Sequence, residues 1–336
     1  MPKTKPAPPE TTDRRITALV TLLADNATIV ISGARIAREI GVSRSTVWRW
    51  VQRLRELGVR AKGHPRTGYY LEKVPDLLTP DILKRRLKGS MFGKHIHHFL
   101  RIDSTNRVAM EFGYANEPEG TVALAEEQTA GRGRAGRAWH SERGTGIYAT
   151  LLLRPKISPV QAPLLTMMAG LSARAAVQAQ TGLTVDLKWP NDLILAGKKL
   201  GGILTEMHAE PSQVRFVIVG IGINVNQEKF PAELSAIGTS LRAQTGRAQS
   251  RMELLVRLLR EFENDYNRFL GEGATSVTER FESVSSYARG KRVTVCNGSE
   301  KYSGVTAGLS PEGLLRVERD GGNVVTVIAG DVGEAS

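Results

Sequence analysis

Residues 131–137 read Gly-Arg-Gly-Arg-Ala-Gly-Arg, and the interpretation of this stretch decides the fold class. Its first six residues match the glycine pattern of a dinucleotide-binding fold, and they follow a predicted strand at 120–127. That fold requires a helix directly after the glycines and an acidic residue about 20 positions further on, which holds the ribose. Here a polar turn and another predicted strand follow, and no Asp or Glu stands between Glu142 and Asp186. The dinucleotide-binding interpretation therefore fails.

The same stretch places three arginines among glycines, which favours a loop that binds an anion. Glycine lets backbone N–H groups come close to an anion, and Arg132, Arg134 and Arg137 supply fixed charge with a bidentate fork. We predict that the loop closes over a phosphate and becomes ordered as the anion binds its arginines. A flexible basic surface loop is the alternative.

The segment from about residue 80 to residue 285 alternates β-branched strands with amphipathic helices. Its hydrophobic periodicity predicts strands at 96–102, 120–127, 147–153, 184–188, 192–196, 201–207 and 214–221. It predicts helices at 105–115, 160–181, 251–270 and 274–285. This mixture indicates an α+β domain around a mixed sheet.

Helical periodicity stops beyond Gly290. Short strands separated by Gly-rich turns are predicted at 291–295, 301–308, 313–318 and 324–328. Their regular spacing indicates a small five-strand-like β-barrel.

The first 75 residues carry the pattern of a winged helix-turn-helix. Apolar residues recur at helical spacing in three predicted helices, one around 16–23, one from Ser32 to Gly41 and one from its N-cap Ser43 to Gly58. The gap around Gly41 and Val42 between two such helices is typical of a helix-turn-helix. A basic β-hairpin at 59–71 would form the wing.

Positive charge is concentrated in this N-terminal segment. Residues 1–75 hold 14 Lys or Arg against 6 Asp or Glu, whereas the whole chain has a net charge of +12. A strongly basic segment, joined to a remainder in which positive and negative charges nearly balance, indicates nucleic-acid binding. The alternative is a module that binds another protein. The candidate DNA contacts are Ser43, Arg44, Ser45, Thr46, Arg49, Arg53 and Arg66.

Composition excludes several protein classes. The chain has 336 residues, of which 41% are hydrophobic and 24% charged, so it is typical of a globular protein with two or three domains. Its apolar runs are too short to span a membrane, and the N-terminus lacks the apolar core of a secretory signal. A single cysteine, Cys296, excludes an internal disulfide and a cysteine zinc cluster, which fits a cytoplasmic protein.

These features predict four segments along the chain. They are a disordered tail at 1–12, a winged helix-turn-helix DNA-binding domain at 13–75, a catalytic domain at 80–285 and a small β domain at 289–332. The histidines at 95, 97 and 98 are of a type that could ligate a metal, but His95 and His97 stand at a period of two, which predicts a solvated strand face, so no protein metal site is expected.

Four further motifs indicate a ligand site in the central domain. They are Asp-Ser-Thr-Asn at 103–106, Lys-Trp-Pro-Asn-Asp at 188–192, Lys-Leu-Gly-Gly-Ile-Leu at 199–204 and Gly-Ile-Gly-Ile-Asn-Val-Asn at 220–226. Glycines inside a buried strand usually mark the close approach of a ligand or another backbone. The first motif also has the simpler interpretation of a helix cap.

In chain order, these motifs and the stretch from Gln128 through the arginine loop to Trp139 resemble those of the bifunctional bacterial biotin protein ligases, which also act as the biotin operon repressor. The resemblance covers nearly the whole chain. It implies a winged helix-turn-helix, a central mixed-sheet domain like that of biotin and lipoate ligases, and a small SH3-like C-terminal β-barrel.

The resemblance also implies roles for individual residues. Biotin would be bound by Ser104, Thr105, Asn106, Gln128, Arg132, Gly133, Arg134, Lys199, Gly202 and Gly220. The nucleotide would be bound by Arg134, Arg137, Trp139, Asn191, Asp192 and Asn224, and the catalytic residues would be Arg132, Arg134 and Lys199. One departure concerns adenine, since some members carry a tryptophan after the 220–226 strand. Residues 227–250 here contain no aromatic residue except Phe230.

The implied activity is ATP-dependent formation of biotinyl-AMP, with Mg²⁺, followed by transfer of biotin to a lysine of the biotin carboxyl carrier protein of acetyl-CoA carboxylase. The adenylate-bound protein would be a homodimer that binds operator DNA and represses biotin synthesis genes. Three alternatives stay open: a ligand-sensing regulator without ligase activity, a ligase whose DNA-binding module no longer regulates, and a lipoate-attaching enzyme. The N-terminal module and the arginine stretch are foreign to the last of these.

Overall fold

The computed structural model describes residues 10–11, 14–26, 29–56, 59–72, 76–297, 300–328 and 330–334. Within them the α-helices are α1 (Arg14–Asp25), α2 (Gly33–Ile40), α3 (Arg44–Glu56), α4 (Pro80–Arg86), α5 (Thr105–Tyr114), α6 (Ala162–Thr181), α7 (Ala232–Ser235), α8 (Leu241–Thr245), α9 (Arg251–Glu272) and α10 (Thr275–Val284). The β-strands are β1 (Glu10–Thr11), β2 (Ala61–His64), β3 (Gly68–Leu71), β4 (Ile96–Arg101), β5 (Val122–Ala125), β6 (Gly146–Leu153), β7 (Asp186–Lys188), β8 (Asp192–Leu195), β9 (Lys198–Ala209), β10 (Val214–Asn224), β11 (Arg289–Asn297), β12 (Glu300–Leu309), β13 (Leu315–Arg319), β14 (Val324–Val327) and β15 (Asp331–Glu334).

Helices α1 to α3 and the β2–β3 hairpin form the predicted winged helix-turn-helix around one apolar core. Ser32 caps α2 by accepting a hydrogen bond from the Arg35 backbone N–H at 3.2 Å, and Gly41 ends this helix with a left-handed φ of 74°. Ser43 caps α3 by accepting from the Thr46 N–H at 3.1 Å, as predicted. The predicted end of α3 at Gly58 lies outside the described residues.

The predicted disordered tail at 1–12 lies mostly outside the described residues. Its residues Glu10–Thr11 are described, and they pair antiparallel with Arg101 and Phe99 on β4. At these two positions the structure differs from the prediction. The physical reason is that the outer edge of β4 offers backbone groups that a second strand can satisfy.

The central domain is built on an eight-stranded mixed sheet with the order β1-β4-β5-β6-β10-β9-β8-β7. Strands β4 and β5 pair parallel, and the other neighbours pair antiparallel. Every residue of β6 is buried, because this strand lies in the middle of the sheet and is rich in Ile, Leu and Ala. The predicted α+β domain around a mixed sheet is confirmed.

Helices cover both faces of this sheet. Helices α6 and α9 pack on one face and share the largest apolar core with β6 and β10. Helix α5 packs on the other face, where Val108 and Ala109 join a core with Phe99 and Phe216. The sheet therefore holds the start of α5 next to β9 and β10, with Asn106 beside Leu204 and Gly220 of two sequence motifs.

The C-terminal segment forms a five-stranded antiparallel sheet with the order β14-β13-β12-β11-β15. Four of these strands match the predicted ones, and β15 supplies the fifth by pairing with β11. Trp189 of the central domain donates its indole N–H to the Gly313 carbonyl at 2.9 Å, which attaches this sheet beside the Lys-Trp-Pro-Asn-Asp turn.

Three helices of the central domain are absent from the prediction. Helix α4 begins with Pro80, because proline is favoured in the first turn of a helix. Helices α7 and α8 are one turn each, too short to produce a periodic pattern. Among the described residues, no helix combines the length and apolar character that crossing a bilayer requires.

Candidate active site

A cavity of about 580 Å³ opens where β9, β10, the start of α5 and the arginine stretch meet. All fifteen residues that the resemblance implies for biotin or nucleotide binding line this cavity. They are Ser104, Thr105, Asn106, Gln128, Arg132, Gly133, Arg134, Arg137, Trp139, Asn191, Asp192, Lys199, Gly202, Gly220 and Asn224. The sheet thus brings together residues that are up to 120 positions apart in the chain.

A buried hydrogen-bond network forms the inner end of the cavity. The Gln128 side-chain oxygen accepts from the Thr105 backbone N–H at 2.8 Å and from the Thr105 hydroxyl at 3.1 Å. The Thr150 hydroxyl lies 2.8 Å from the Thr105 hydroxyl oxygen and 2.7 Å from the Asn106 amide oxygen, and these two acceptors share its single proton. Ser104, which stands at the N-cap of α5, is also buried but makes no side-chain cap bond. This end can therefore exchange hydrogen bonds with a polar ligand group.

Two glycines of β10 allow other side chains to approach the strand. A Cβ atom on Gly220 would lie 2.0 Å from the Asn106 amide oxygen, and one on Gly222 would lie 2.6 Å from the Trp139 ring. Asn106 is fixed there because its amide nitrogen donates to Glu206 at 2.8 Å and to the Leu204 carbonyl at 3.1 Å. The glycines do mark close approaches, but at both positions a side chain, Asn106 or Trp139, comes close to the strand, where the sequence predicted a ligand or another backbone.

The arginine stretch forms a compact loop rather than an open one. Within it, the Gly133 N–H donates to the Arg137 carbonyl at 2.6 Å, and the Trp139 N–H donates to the Gly131 carbonyl at 2.9 Å. Ala135 at its tip has a left-handed φ of 56°, a conformation that non-glycine residues rarely adopt. The loop thus has backbone contacts of its own, which its glycine content did not predict.

The C-terminal sheet holds two arginines of this loop. Arg134 donates to the Gly330 carbonyl at 2.8 Å, and Arg137 forms an ion pair with Asp331 at 2.7 Å. Both acceptors lie at or beside the start of β15. The cavity is therefore closed on this side by contacts between two domains.

Lys199 occupies the wall between the loop and β8. Its Nζ lies 2.5 Å from an Asp192 carboxylate oxygen and 5.9 Å from the centre of the Trp139 ring. The Trp139 indole N–H is buried and has no hydrogen-bond partner among the described residues. A cation, a carboxylate and an available donor thus face the same space, which suits a charged ligand with further acceptor groups.

Two predicted nucleotide-binding residues also form hydrogen bonds within the protein itself. The Asn191 side chain donates to the Ile203 carbonyl at 3.0 Å, and the Ile203 N–H donates back to the Asn191 carbonyl at 2.9 Å. Asn224 accepts from Gln227 at 3.2 Å. These contacts give both asparagines a structural part in addition to any contact with a ligand.

Sequence reasoning missed one wall of the cavity, the segment 230–238 that contains α7. Phe230, Leu234 and Ile237 line the cavity, and Ile237 is 58% exposed. The segment is held by Lys199, whose N–H donates to the Ile237 carbonyl at 2.7 Å. Phe230 was the one signal in the sequence, as the single aromatic residue after β10.

Tyr148 and Tyr287 also line the cavity without having been predicted. Burial raises the pKa of Tyr148 to about 12, so its hydroxyl stays protonated and donates to the Glu142 carbonyl at 3.0 Å. Lys188 lies 5.4 Å from the centre of the Tyr287 ring, which places a second lysine at the cavity wall.

Below the cavity, a buried ionic cluster joins Arg251, Glu126, His98 and Asp76. Arg251 donates to Glu126 at 2.8 Å, and His98 lies 3.0 Å from the other Glu126 oxygen. Burial alone would raise the pKa of Glu126, but the Arg251 charge and the contacts with His98 outweigh it and lower that pKa to about 2.

His98, for which no burial was predicted, is buried with Glu126 as its partner. His95 is exposed, and His97 is half-buried with its Nε2 3.9 Å from Glu117. Within the described part of the chain, no group of three His, Cys, Asp or Glu side chains could hold a metal.

The predicted DNA contacts lie on α3 and the hairpin. Ser43, Arg44, Ser45, Arg49 and Arg66 are exposed, whereas Thr46 and Arg53 are half-buried. Arg44 donates to the Pro65 carbonyl at 2.9 Å, which links the start of α3 to the turn of the wing. The Ser43 hydroxyl is engaged in capping, so it is a weaker candidate for a base contact.

Three parts of the chain match known protein families. Residues 99–224 match the Biotin/lipoate A/B protein ligase family, residues 15–70 match an HTH domain, and residues 289–332 match the Biotin protein ligase C terminal domain.

Individual proteins match nearly the whole chain. The Bifunctional ligase/repressor BirA of Bacillus spizizenii is 39% identical over 310 residues, which are 90% of this chain and 94% of that protein. The Bifunctional ligase/repressor BirA of Escherichia coli is 28% identical over 290 residues, covering 86% and 88%. A structure of biotin protein ligase from Aquifex aeolicus in complex with biotin and ATP is 31% identical, with a TM-score of 0.61 over 71% of this chain and 97% of that one.

Proposed function

This chain belongs to the family of bifunctional biotin protein ligases and repressors, and from that premise we propose that it activates biotin with ATP, transfers it to a carrier-protein lysine and represses biotin synthesis genes. The observation that carries the ligase function is the cavity that gathers all fifteen candidate residues. We assign DNA binding to residues 13–75, catalysis to 80–285 and the SH3-like domain to 289–332.

The buried polar end of the cavity suits the ureido group of biotin. A ureido group has one carbonyl acceptor and two N–H donors, so it needs partners of both kinds. Ser104, Thr105 and Gln128 offer hydroxyl and amide groups that can donate and accept. Glycine at 220 leaves room for the Asn106 side chain at this end of the cavity, and a Cβ on Gly202 would lie 3.5 Å from the side chains of Lys199 and Trp139.

Adenylate formation requires charge neutralisation more than an acid or a base. A carboxylate oxygen of biotin attacks the α-phosphorus of ATP, and the bond from that phosphorus to the leaving pyrophosphate oxygen breaks. Lys199, Arg132 and Arg134 would hold the two anionic groups together and stabilise the charge that develops between them. No proton is transferred in this step, which fits a site with one carboxylate, Asp192, among the described residues that line it.

The second step uses the mixed anhydride. The neutral ε-amino group of the carrier lysine attacks the biotinyl carbonyl carbon, the bond to the phosphate oxygen breaks, and AMP leaves. The amine nitrogen loses a proton to solvent or to the departing phosphate as the amide forms. The arginine loop would exclude water from the anhydride until the carrier arrives.

Adenine would lie between Trp139 and the segment 230–238. The Trp139 indole offers a flat surface and an available N–H donor, while Phe230 and Ile237 offer apolar contact on the other side. Asn191, Asp192 and Asn224 would lie near the phosphates and the ribose.

Mg²⁺ fits this site as a companion of the triphosphate. The cavity supplies the Asp192 carboxylate and the Asn224 amide, which suits an ion that keeps several waters and takes one or two protein ligands. When bound, Mg²⁺ would neutralise the charge of the leaving phosphates.

The N-terminal domain would bind operator DNA through α3 in the major groove and the wing beside it. A homodimer of the adenylate-bound protein would place two such domains on two half-sites. The proposed carrier is the biotin carboxyl carrier protein of acetyl-CoA carboxylase, and the proposed location is the cytoplasm.

A truncation at the domain junction tests both activities together. The full chain and a chain that starts at Asp76 would be given biotin, ATP and carrier protein, and then a duplex from the organism's biotin synthesis promoter. We expect both chains to biotinylate the carrier and only the full chain to shift the duplex. Failure of the full chain to form adenylate would overturn the ligase, and failure to bind the duplex in any ligand state would overturn the repressor.

A further inference from the structure

An indole ring stands exposed on the proposed DNA-reading helix. Trp48 is 46% exposed, whereas Val47 and Val51 on the apolar side of α3 are completely buried. The other tryptophan of this helix, Trp50, is half-buried and packs against the N-terminal core. Exposure of Trp48 is therefore not explained by the packing of the domain.

Neighbouring side chains hold the ring in place. Gln52 lies one turn further along α3, and with its amide oriented so that the oxygen accepts, the Trp48 indole N–H donates to it at 3.2 Å. This bond uses the one polar group of the indole. The remaining exposed surface of the ring is apolar and needs an apolar contact.

The surroundings of the ring favour DNA over a protein partner. Arg44, Ser45 and Arg49 lie within four positions of Trp48, and all three are exposed. Two cations and no carboxylate among these neighbours suit a polyanion, whereas a protein-binding surface would surround an exposed tryptophan with further apolar residues.

The groups that base pairs present in the major groove indicate what the Trp48 ring would contact. Arginines reach phosphates and guanine, but an uncharged ring gains most from the one apolar group that base pairs present in the major groove, the 5-methyl group of thymine. We propose that Trp48 packs against thymine methyl groups of the operator and is a specificity-determining residue. This inference rests on the proposed DNA-binding function of α3.

Replacement of thymine by deoxyuridine removes only that methyl group and gives a direct test. A duplex would be selected from random DNA by the full chain with biotin and ATP, and each thymine would then be replaced in turn. Binding would be measured at one salt concentration for the wild type, Trp48→Ala, Trp48→Phe and the control Tyr114→Ala. Tyr114 is an aromatic residue of the central domain with 60% exposure, so its removal tests the loss of an exposed ring elsewhere.

We expect at least one replacement to weaken binding of the wild type and Tyr114→Ala about fourfold, the effect of losing one methyl-sized apolar contact. Trp48→Ala should bind the thymine duplex more weakly and show no further loss with deoxyuridine, while Trp48→Phe retains part of the dependence. An unchanged deoxyuridine penalty in Trp48→Ala would overturn the inference and leave the repressor function standing. If the wild type selects no duplex at all, the proposed repressor function fails and this inference fails with it.

Discussion

Arg251 and Glu126 form a buried ion pair at 2.8 Å, with both side chains no more than 2% exposed, although they are 125 positions apart in the chain. Arg251 starts α9, and its guanidinium and backbone N–H also bond Asp76. The Leu78 N–H donates to Glu126 at 3.0 Å. The pair therefore fixes the position of residues 76–78, where the chain enters the central domain. Glu126 itself stands two positions before Gln128, which lines the cavity.

Removal of the Glu126 charge should destabilise the central domain strongly. Glu126→Gln leaves the Arg251 guanidinium buried with Asp76 as its one remaining carboxylate partner among the described residues. Breaking a buried pair in this way costs roughly 3–5 kcal/mol. Denaturant unfolding would measure the loss, with Glu111→Gln as control because the Glu111 side chain is 59% exposed and pairs with Arg107 at the surface. Equal, small effects of the two substitutions would contradict the importance of the buried pair.

Stability should also fall in acid through Glu126. Its pKa is about 2 in the folded protein and near 4.5 ordinarily, so the ionised form favours folding. This contribution is present above about pH 4.5 and is lost as the pH falls towards 2, with a limit of roughly 3 kcal/mol. The free energy of unfolding of the wild type should therefore decrease more steeply between pH 5 and pH 3 than that of Glu126→Gln. Parallel pH profiles would show that another group is responsible.

A methyl group on Gly220 should weaken biotin binding strongly. Its Cβ would lie 2.0 Å from the Asn106 amide oxygen, and Asn106 cannot move without breaking its contacts with Thr150 and Glu206. We expect Gly220→Ala to weaken biotin binding at least about a hundredfold, because the displaced polar groups lose their partners. The matched control is Gly271→Ala on α9, where a Cβ meets nothing within 4 Å. Calorimetric titration with biotin would decide, and wild-type affinity in Gly220→Ala would refute the assignment of this end of the cavity.

Lys199 and Arg134 should be needed for adenylate formation rather than for folding. Each would place a positive charge on the reacting groups, and loss of one such donor costs roughly 3–4 kcal/mol of transition-state stabilisation. Biotin-dependent pyrophosphate exchange should therefore fall by roughly two to three orders of magnitude in Lys199→Ala and in Arg134→Ala. Arg215→Ala is the control, since Arg215 pairs with Glu210 at the surface. Normal exchange in both cavity variants would remove the ligase assignment.

Local patterns predicted most of this architecture because they act over a few residues. The cap at Ser43, the turn at Gly41 and the close approach at Gly220 each follow from the chemistry of one or two positions. The fifteen cavity residues were found because they stand in motifs whose order is itself informative.

Features that depend on distant partners escaped prediction. The burial of His98 depends on Glu126, which is 28 positions away in the chain and lies beside it only in the folded protein. The segment at 230–238 becomes a cavity wall because its backbone bonds Lys199, which no periodicity indicates. Strand β15 contains one apolar residue, Val332, among polar residues and a glycine, so it is defined by its pairing with β11 and not by its own composition.

Adenylate should couple the catalytic site to DNA binding. Arg134 bonds the Gly330 carbonyl, and Arg137 pairs with Asp331, so a ligand that draws these arginines into the cavity also alters the contact with the C-terminal sheet. Linkage requires that, if this change favours dimerisation, the dimer binds adenylate more tightly in return.

We expect the adenylate-bound protein to dimerise and to bind the promoter duplex at least about tenfold more tightly than the apo or biotin-bound protein. Sedimentation equilibrium and gel shift at one salt concentration would measure both, and affinity should fall steeply as salt rises because the N-terminal domain is basic. Arg134→Ala, supplied with preformed adenylate at saturating concentration, should lose most of the tenfold difference, whereas Arg215→Ala should keep it. If apo, biotin-bound and adenylate-bound proteins dimerise and bind the duplex equally, the coupling does not exist and the N-terminal domain binds DNA constitutively.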